Sequence, residues 1–399
     1  MPISPARRAA FDILMKVERH GAFASDLLAA LPPTFDRRDL NLATELVLGC
    51  LRRQSQLDHL IRQYSGRASR FDPEVLIALR LGVYQLRLLD RVPRHAVVND
   101  SVSLTRAAGK ASATGLVNAV LRKVDARPAT DAPPAVIAGL PEWLYQKWIH
   151  TYGPAATAAI AAAGLTAPDT YLRVPAGREA EALALGAEPT DLAGCFRLAP
   201  GRDPGAAFRI QDIGSQSLVP LLGLQPEHTF LDLCSAPGNK TAQALETPVR
   251  FAVAADHSVK RLHSMAALPV PLIALDATRA LPFSRPFDRI LADAPCSGTG
   301  TLARNPEIRW RLQPQDLERH QARQVSILTR ALAALAPGGR LVYSTCSLET
   351  EENEAVLDAA LAEAGPEFAL ETTIRRLPGR DPGDGFFAGV IKSSVPRSV

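Results

Sequence analysis

Five short apolar runs in the second half of the chain constrain its fold more than any other feature. Each ends in polar residues and is followed by a helical or loop segment; from residue 229 they read TFLDLC, RFAVAAD, PLIALDA, DRILADAP and GRLVYSTC. Strands that alternate with helices form a parallel sheet with helices on both faces. Ligands of such sheets bind at the carboxyl ends of the strands. The polar residues that close these runs are therefore the candidate site.

The first part of the chain has a helical pattern instead. Between residues 5 and 125, successive segments space apolar residues three and four apart, which predicts an all-α bundle. Residues 1–127 carry 20 Lys and Arg against 12 Asp and Glu, a net charge of +8, whereas residues 128–399 carry a net charge of −4. A basic helical module favours docking to nucleic acid, and a solvated helical surface is the alternative interpretation.

The middle of the chain is less regular. A Pro- and Ala-rich linker at 127–141 precedes a short aromatic helix, and residues 155–225 mix Ala-rich helix with the short strands TYLRV and CFRLA. We therefore expect three domains: an all-α domain at 1–127, a linker with a small α+β module that binds RNA at 128–225, and an α/β domain at 226–399.

Several classes of protein are disfavoured by composition. No apolar run is long enough to span a membrane and no secretory signal precedes the first helix, so we expect a cytoplasmic protein without a membrane partner. Five cysteines, an odd number, argue against a disulfide framework, and no CxxC or HExxH spacing indicates a metal site. We expect a monomer.

The loop after the first strand is the candidate cofactor site. It reads DLCSAPGNKT from Asp232, with small residues that let a ligand approach the backbone, but it matches neither GxGxxG nor the phosphate-binding GxxxxGK[ST] pattern. The second strand ends in Asp256, which suits a ribose diol, and the third ends in Asp276, which is placed to contact an adenine amino group. A nucleoside bearing a sulfonium rather than phosphates, S-adenosylmethionine, fits three successive acidic strand ends. A helix cap is the alternative for any one of them.

Two cysteines carry the candidate chemistry. The fourth strand continues into DAPCSGTG with Cys296, and the fifth into STCS with Cys346. Cysteines are more often small buried hydrophobes, which is our interpretation of Cys50 and Cys195, and of Cys234 as well. A thiolate that attacks carbon 6 of a pyrimidine makes carbon 5 nucleophilic enough to accept a methyl group.

Other groups are placed to assist that reaction. Asp293 can hydrogen-bond the cytosine edge, and Lys240 can help either thiol electrostatically. After methyl transfer a base must remove the carbon-5 proton, and Cys296, as a thiolate, is one candidate.

Taken together, these motifs resemble the Sun/Fmu group of bacterial 16S ribosomal RNA cytosine-C5 methyltransferases, in the NOL/NOP/sun family. DLCSAPGNKT is similar to that family's DLCAAPGGKT, DAPCSGTG to its fourth motif, STCSLETEENE to its sixth and RNPEIRW to its RxPxIxW element; QDIGSQSLVPLLGLQP is similar to the segment before the first motif and DGFFAGVIK to the final strand. The front of the chain, from SPARRAAFDIL to GLVNAVLRKV, resembles the NusB-like RNA-binding domain of this subgroup.

The resemblance implies a NusB-like bundle, the small α+β module and a Rossmann-like methyltransferase domain that acts on small-subunit ribosomal RNA. It implies that Cys346 is the nucleophile and that Cys296 assists breakdown of the adduct. The implied cofactor contacts are Cys234, Ser235, Ala236, Pro237, Gly238, Asn239, Lys240, Asp256, Asp276 and Asp293.

The chain departs from the family motif at two loop positions. Ser235 replaces an alanine and Asn239 a glycine; Asn is among the residues that best tolerate positive φ, so we expect cofactor binding to survive. The interval from Asp256 to Asp276 is short, so we expect a trimmed helix there.

Arginines next to the fourth motif are candidate RNA ligands. Arg304, Arg309 and Trp310 combine positive charge with an aromatic ring, which suits single-stranded RNA, whereas packing is the alternative for Trp310. For Arg319, Arg323 and Arg330 a solvated helix is favoured. The alternatives for the whole protein are the same chemistry on a different RNA and a non-catalytic ribosome-assembly factor; an NAD-dependent enzyme lacks its glycine pattern.

Overall fold

The computed structural model describes residues 3–66, 71–124, 131–199, 202, 205 and 207–394. The chain forms two compact units. The helical unit contains residues 1–167 and 302–311, and the sheet unit contains residues 168–301 and 312–399. The expected division at 1–127, 128–225 and 226–399 follows different lines and stays a prediction; its first boundary lies outside the described residues.

Every element of regular secondary structure described in the first 167 residues is a helix, as the apolar spacing predicted for residues 5–125. The helices are α1 Pro5–His20, α2 Ala24–Ala29, α3 Arg37–Arg52, α4 Gln54–Ser65, α5 Pro73–Leu88, α6 Arg94–Ala107, α7 Thr114–Lys123, α8 Pro134–Ile137 and α9 Glu142–Gly164. Helix α9 is broken at Gly153, whose φ is 77°, immediately before Pro154. Asp36 caps α3 by accepting hydrogen bonds from the backbone of Arg38 and Asp39.

Helix α5 is the centre of this bundle. Its residues from Val75 to Gln85 are buried nearly without interruption and pack against α1, α3, α4, α6 and α7. A helix that is surrounded on all sides needs apolar residues on all faces. Its buried Arg80 forms a bidentate ion pair with Asp58, in which both nitrogen–oxygen distances are 2.7 Å.

A small antiparallel sheet opens the sheet unit. Strands β1 Thr170–Arg173, β2 Ala187–Pro189, β3 Cys195–Leu198 and β4 Arg209–Ile210 are ordered β2-β3-β1-β4, with α10 Glu179–Ala184 between β1 and β2. The strands predicted in TYLRV and CFRLA are therefore confirmed. Leu172, Phe196 and Phe208 form part of a small separate core.

A larger sheet of seven strands forms the rest of this unit, and the predicted Rossmann-like fold is confirmed. The elements are α11 Ile213–Gln216, β5 Thr229–Asp232, α12 Asn239–Ala244, β6 Phe251–Asp256, α13 Val259–Leu262, β7 Leu272–Ala274, β8 Phe287–Asp293, α14 Ile308–Arg311 (in the helical unit), α15 Pro314–Ala333, β9 Leu335–Thr345, α16 Glu354–Ala364, β10 Phe368–Arg376 and β11 Phe386–Ser393. The order is β10-β11-β9-β8-β5-β6-β7. The five predicted strands pair in parallel, whereas β10 and β11 add an antiparallel edge.

Apolar side chains on the two faces of this sheet fill two cores. Leu231 in β5 faces the core that includes Ile327 and Leu357, from α15 and α16, while its neighbour Phe230 faces the core that includes Leu222 and Ala244. This alternation is the period of two expected of a strand with both faces covered. Helix α13 has a single turn, which confirms the trimmed segment between Asp256 and Asp276. No helix among the described residues combines the length and apolar character needed to cross a membrane.

Candidate active site

A cavity of about 310 Å³ opens in the sheet unit where β5, β6, β7, β8 and β9 end. The predicted site residues that line it are Cys234, Ala236, Asp256, Asp276, Asp293, Cys296 and Cys346. The remaining predicted cofactor residues belong to the same loop and to the first turn of α12, but are not part of the lining; they are Ser235, Pro237, Gly238, Asn239 and Lys240.

The loop after β5 is held close to the sheet by its backbone. The Ser235 amide donates to the Ala255 carbonyl at 2.9 Å, and the Ala236 amide donates to an Asp256 oxygen at 3.1 Å. Gly238 has a φ of 101°, and a Cβ on it would lie 2.8 Å from the Met265 side chain. Both the left-handed conformation and the contact require glycine at this position.

Asn239 does not have the positive φ that its substitution for glycine was expected to require. The positive φ belongs to Gly238, whereas Asn239 is the first residue of α12, and its side-chain amide donates to the Ile210 carbonyl at 3.2 Å. Ser235, the other departure, is buried and places its hydroxyl 3.5 Å from the Met265 sulfur. Neither side chain fills the cavity.

Two carboxylates line the cavity where β6 and β7 end. Asp256 is buried at the end of β6, and its second oxygen accepts from the Ser258 amide at 2.9 Å. Asp276 lies beyond β7, where the Thr278 hydroxyl and amide donate to one carboxylate oxygen at 2.6 and 3.0 Å. The Thr278 hydrogen bonds lower the pKa of Asp276, so this partly exposed group is an anion at neutral pH.

Asp232 lies behind the loop rather than in it. It is buried, and one carboxyl oxygen accepts from the Thr241 hydroxyl at 2.6 Å while the other has no hydrogen-bond partner. Burial raises the pKa of Asp232 to about 7, so the group is poised between its neutral and ionised forms.

The two cysteines meet. Cys296 follows β8 and Cys346 follows β9, which are adjacent parallel strands, and their sulfur atoms lie 3.5 Å apart. The hydrogen bond with Cys346 and burial raise the pKa of the Cys296 thiol well above its ordinary value. Cys296 therefore keeps its proton at neutral pH, and either sulfur can be the donor in the contact between the two.

Lys240 and Asp293 form an ion pair beside the sulfurs. The Lys240 Nζ lies 2.7 Å from one oxygen of Asp293, and the Ser344 hydroxyl donates to the other at 2.8 Å. Burial opposes the charge on Lys240, but Asp293 overcomes it and raises the pKa of the lysine, with a further contribution from Cys346. A permanent ammonium group thus lies within electrostatic reach of the Cys346 sulfur.

The predicted RNA ligands after the fourth motif have a different environment. Arg309 is completely buried within the helical unit, where it donates to the carbonyls of Gly139, Gly164 and Leu302 at 2.8 to 3.0 Å. The prediction that Arg309 contacts RNA is therefore wrong, because its two terminal nitrogens are occupied by backbone oxygens and the whole side chain is shielded from solvent.

The neighbours of Arg309 differ in exposure. Trp310 is half-buried, and its indole N–H donates to the Leu51 carbonyl at 2.7 Å, which agrees with the packing alternative. Arg304 is also half-buried. RNA contact by either of these two residues remains a prediction.

Some residues at the site were not predicted. Arg261 and Arg323 line the cavity, although Arg323 was interpreted as part of a solvated helix. Glu352 is fully buried beneath the two cysteine loops and accepts hydrogen bonds from both. Its signal was present in the STCSLETEENE segment, where a run of acidic residues follows the cysteine, but the pattern does not indicate which glutamate turns inward.

The cavity and its acids fit a sulfonium nucleoside. The volume is in the range of small-ligand sites, and carboxylates at the ends of adjacent strands suit hydroxyl and amino groups better than phosphates. Within the described part of the chain, no group of three or more His, Cys, Asp or Glu side chains is arranged to hold a metal ion.

Comparison with known families supports the same interpretation. Residues 219–392 match the family model "16S rRNA methyltransferase RsmB/F", and residues 4–126 match the NusB family. The fold and the site thus define an S-adenosylmethionine-dependent methyltransferase that acts on RNA. More particularly, the chain belongs to the RsmB/F family of 16S rRNA methyltransferases and carries an N-terminal NusB domain.

Individual relatives align along almost the whole chain. The probable ribosomal RNA small subunit methyltransferase B of Bacillus subtilis is 31% identical, covering 95% of this chain and 93% of its own. The ribosomal RNA small subunit methyltransferase B of Thermus thermophilus is 36% identical, with coverage of 92% and 89%. Among solved structures, PH0851 superimposes with a TM-score of 0.79 over 98% of this chain and 100% of its own at 22% identity, which shows a shared fold.

Proposed function

We propose that this protein methylates carbon 5 of a cytosine in 16S ribosomal RNA through a covalent bond between Cys346 and carbon 6 of the base. The observation that carries the proposal is the 3.5 Å approach of the Cys296 and Cys346 sulfurs at the edge of the strand-end cavity. A single thiol is enough for attack on the base, so a second one in contact with it indicates a separate task, release of the product.

The asymmetry of the pair supports Cys346 as nucleophile. The hydrogen bond to Cys346 and burial raise the pKa of the Cys296 thiol, so that Cys296 holds its proton, whereas Cys346 is the sulfur that interacts electrostatically with the Lys240 ammonium. A thiolate is the reactive form of cysteine. The Cys346 thiolate adds to carbon 6, and the electron density that reaches the far edge of the base is stabilised there by the Lys240–Asp293 pair.

Release of the product reverses the addition. A base removes the carbon-5 proton, the electrons of that bond restore the ring double bond, and the bond between carbon 6 and Cys346 breaks. The Cys296 thiol, whose sulfur lies 3.5 Å from that of Cys346, donates a hydrogen bond to the departing thiolate and stabilises it. This is the role that the family resemblance implied for it.

S-adenosylmethionine, when bound, supplies an electrophilic methyl group on a sulfonium. We infer that the Asp256 carboxylate accepts hydrogen bonds from the ribose hydroxyls and that Asp276 accepts one from the adenine amino group. From the loop between Cys234 and Lys240, Cys234 and Ala236 line the cavity that would hold the nucleoside. The helical unit, whose first 127 residues carry a net charge of +8, docks the RNA.

Radiolabelled methyl transfer to unmodified 16S ribosomal RNA tests the proposal. Cys346→Ala should lower turnover by about 10³-fold or more, because removing a covalent nucleophile leaves only binding and positioning. Cys296→Ala should bind RNA in an adduct that survives denaturing gel electrophoresis, since attack is intact and release is not.

Two results would contradict this assignment. An adduct in Cys346→Ala and none in Cys296→Ala would exchange the two roles. Active protein that labels RNA outside carbon 5 of cytosine, as mapped by bisulfite sequencing, would exclude the chemistry altogether.

A further inference from the structure

A buried carboxylate connects the two cysteine loops. Glu352, which is 0% exposed, accepts from the Ser297 amide at 2.8 Å and from the Ser297 hydroxyl, and also from the Ser347 hydroxyl. Ser297 directly follows Cys296 and Ser347 directly follows Cys346. One side chain therefore holds the residue next to each sulfur.

A helix supplies a further contact to the same carboxylate. Gln324 of α15 donates from its amide nitrogen to Glu352 at 3.1 Å and to the Pro295 carbonyl, directly before Cys296, at 2.9 Å. Glu352 thus receives hydrogen bonds from three separate segments. An ionised carboxylate has only acceptor sites, about four in number, and these four donors occupy them.

The backbone provides a second, independent link between the loops. The Gly300 amide donates to the Cys346 carbonyl at 2.8 Å, and the Leu348 amide donates to the Thr299 hydroxyl at 2.9 Å. A Cβ on Gly300 would lie 2.3 Å from the Gly385 carbonyl oxygen and 2.8 Å from that of Cys346. The backbone at Gly300 is therefore packed too closely against these residues to admit a side chain. These bonds fix the loops further along but do not hold Ser297.

We propose that Glu352 is a positioning residue of this methyltransferase, which keeps the sulfurs of Cys296 and Cys346 in contact by fastening Ser297 to Ser347. The proposal deepens the proposed function and rests on it for its catalytic meaning. Displacing a reacting group by about 1 Å can cost about a hundredfold in rate. A link made through the adjacent residues is therefore sufficient to control both attack and release.

Glu352→Gln is the sharpest test, because it keeps the shape and turns one acceptor oxygen into a donor that faces other donors. Glu351→Gln is the matched control, the same substitution at the preceding, partly exposed position. In a Cys296→Ala background, Glu352→Gln should form the RNA adduct at least about tenfold more slowly. The Kd for S-adenosylmethionine should stay within about twofold, because Glu352 does not line the cavity.

A second measurement reports on the proximity of the two sulfurs and does not depend on RNA methylation. Diamide oxidises two neighbouring thiols to a disulfide and takes up two electrons and two protons, becoming the hydrazine. With both cysteines present, we expect Glu352→Gln to form the Cys296–Cys346 disulfide at least about fivefold more slowly than the parent and Glu351→Gln proteins. Mass spectrometry of the linked peptides measures the rate.

The two arms separate the two proposals. A slower disulfide in Glu352→Gln, together with no adduct in Cys296→Ala alone, would uphold positioning and overturn the covalent mechanism. Equal disulfide and adduct rates in Glu352→Gln and its control would overturn positioning. If Glu352→Gln does not fold, Ser347→Ala removes the hydroxyl that donates to Glu352, together with its contacts to the Ser297 and Thr299 hydroxyls and to the Glu349 amide. Unchanged rates in that variant would also overturn positioning.

Discussion

Residues at the strand ends and in the segment 302–311 were both expected to contact ligands, but they have different surroundings in the structure. Asp256, Asp276 and the two cysteines converge on one cavity. Arg309, by contrast, is completely buried among backbone carbonyls of the helical unit. Sheet topology is therefore a stronger guide to a binding site than composition is. Parallel strands bring their ends to one edge whatever follows them, whereas an arginine binds whichever oxygens its own fold offers.

Among the substitutions that distinguish these two regions, one at Arg309 should change stability most. Arg309→Ala should lower the free energy of unfolding by about 3–5 kcal/mol, because it leaves several buried carbonyls without donors. Urea unfolding measures this, and Arg319→Ala, at an exposed position on α15, is the control. A stable Arg309→Ala protein with weakened RNA binding would restore the original expectation.

A second prediction concerns Asp232, at the end of β5, and the dependence of stability on pH. Burial raises the pKa of Asp232 from 3.8 to about 7, so between these values the folded protein binds more protons than the unfolded chain. Asp232 therefore makes stability fall as pH rises through this window, by up to about 1.4 kcal/mol per pH unit. Asp232→Asn should remove that slope while keeping a partner for Thr241. Equal pH slopes of the unfolding free energy in the two proteins would show that the carboxyl is ionised throughout.

The smallest expected effect concerns Arg304, the half-buried arginine of the segment. Arg304→Ala should weaken RNA binding about fivefold and lower the slope of affinity against salt by about 1, as expected for one lost phosphate contact. Its unfolding free energy should change by no more than about 0.5 kcal/mol. Filter binding over a salt series measures the slope; an unchanged slope would place Arg304, like Arg309, among the structural residues.

The strands and the site they form could be predicted because their causes are local. Runs such as TFLDLC and DRILADAP carry their own signal, and the fact that Cys296 and Cys346 meet follows from adjacent parallel strands. Strand β10 was not predicted: its apolar residues Phe368, Leu370 and Ile374 alternate only weakly along the sequence, and most of its residues are exposed. Glu352 and Arg309 could not be assigned from sequence, because a buried charge is defined by distant partners that no spacing rule identifies.

The excursion of residues 302–311 has a consequence for dividing this protein. A fragment that ends at residue 167 would contain every helix from α1 to α9, yet it would lose the guanidinium that serves the Gly139 and Gly164 carbonyls and the Glu307 carboxylate that accepts from the Ala24 amide at 2.8 Å. The N-terminal portion is thus completed by residues translated long after it. Exchanging it between relatives as a contiguous module would require transplanting that later decapeptide as well.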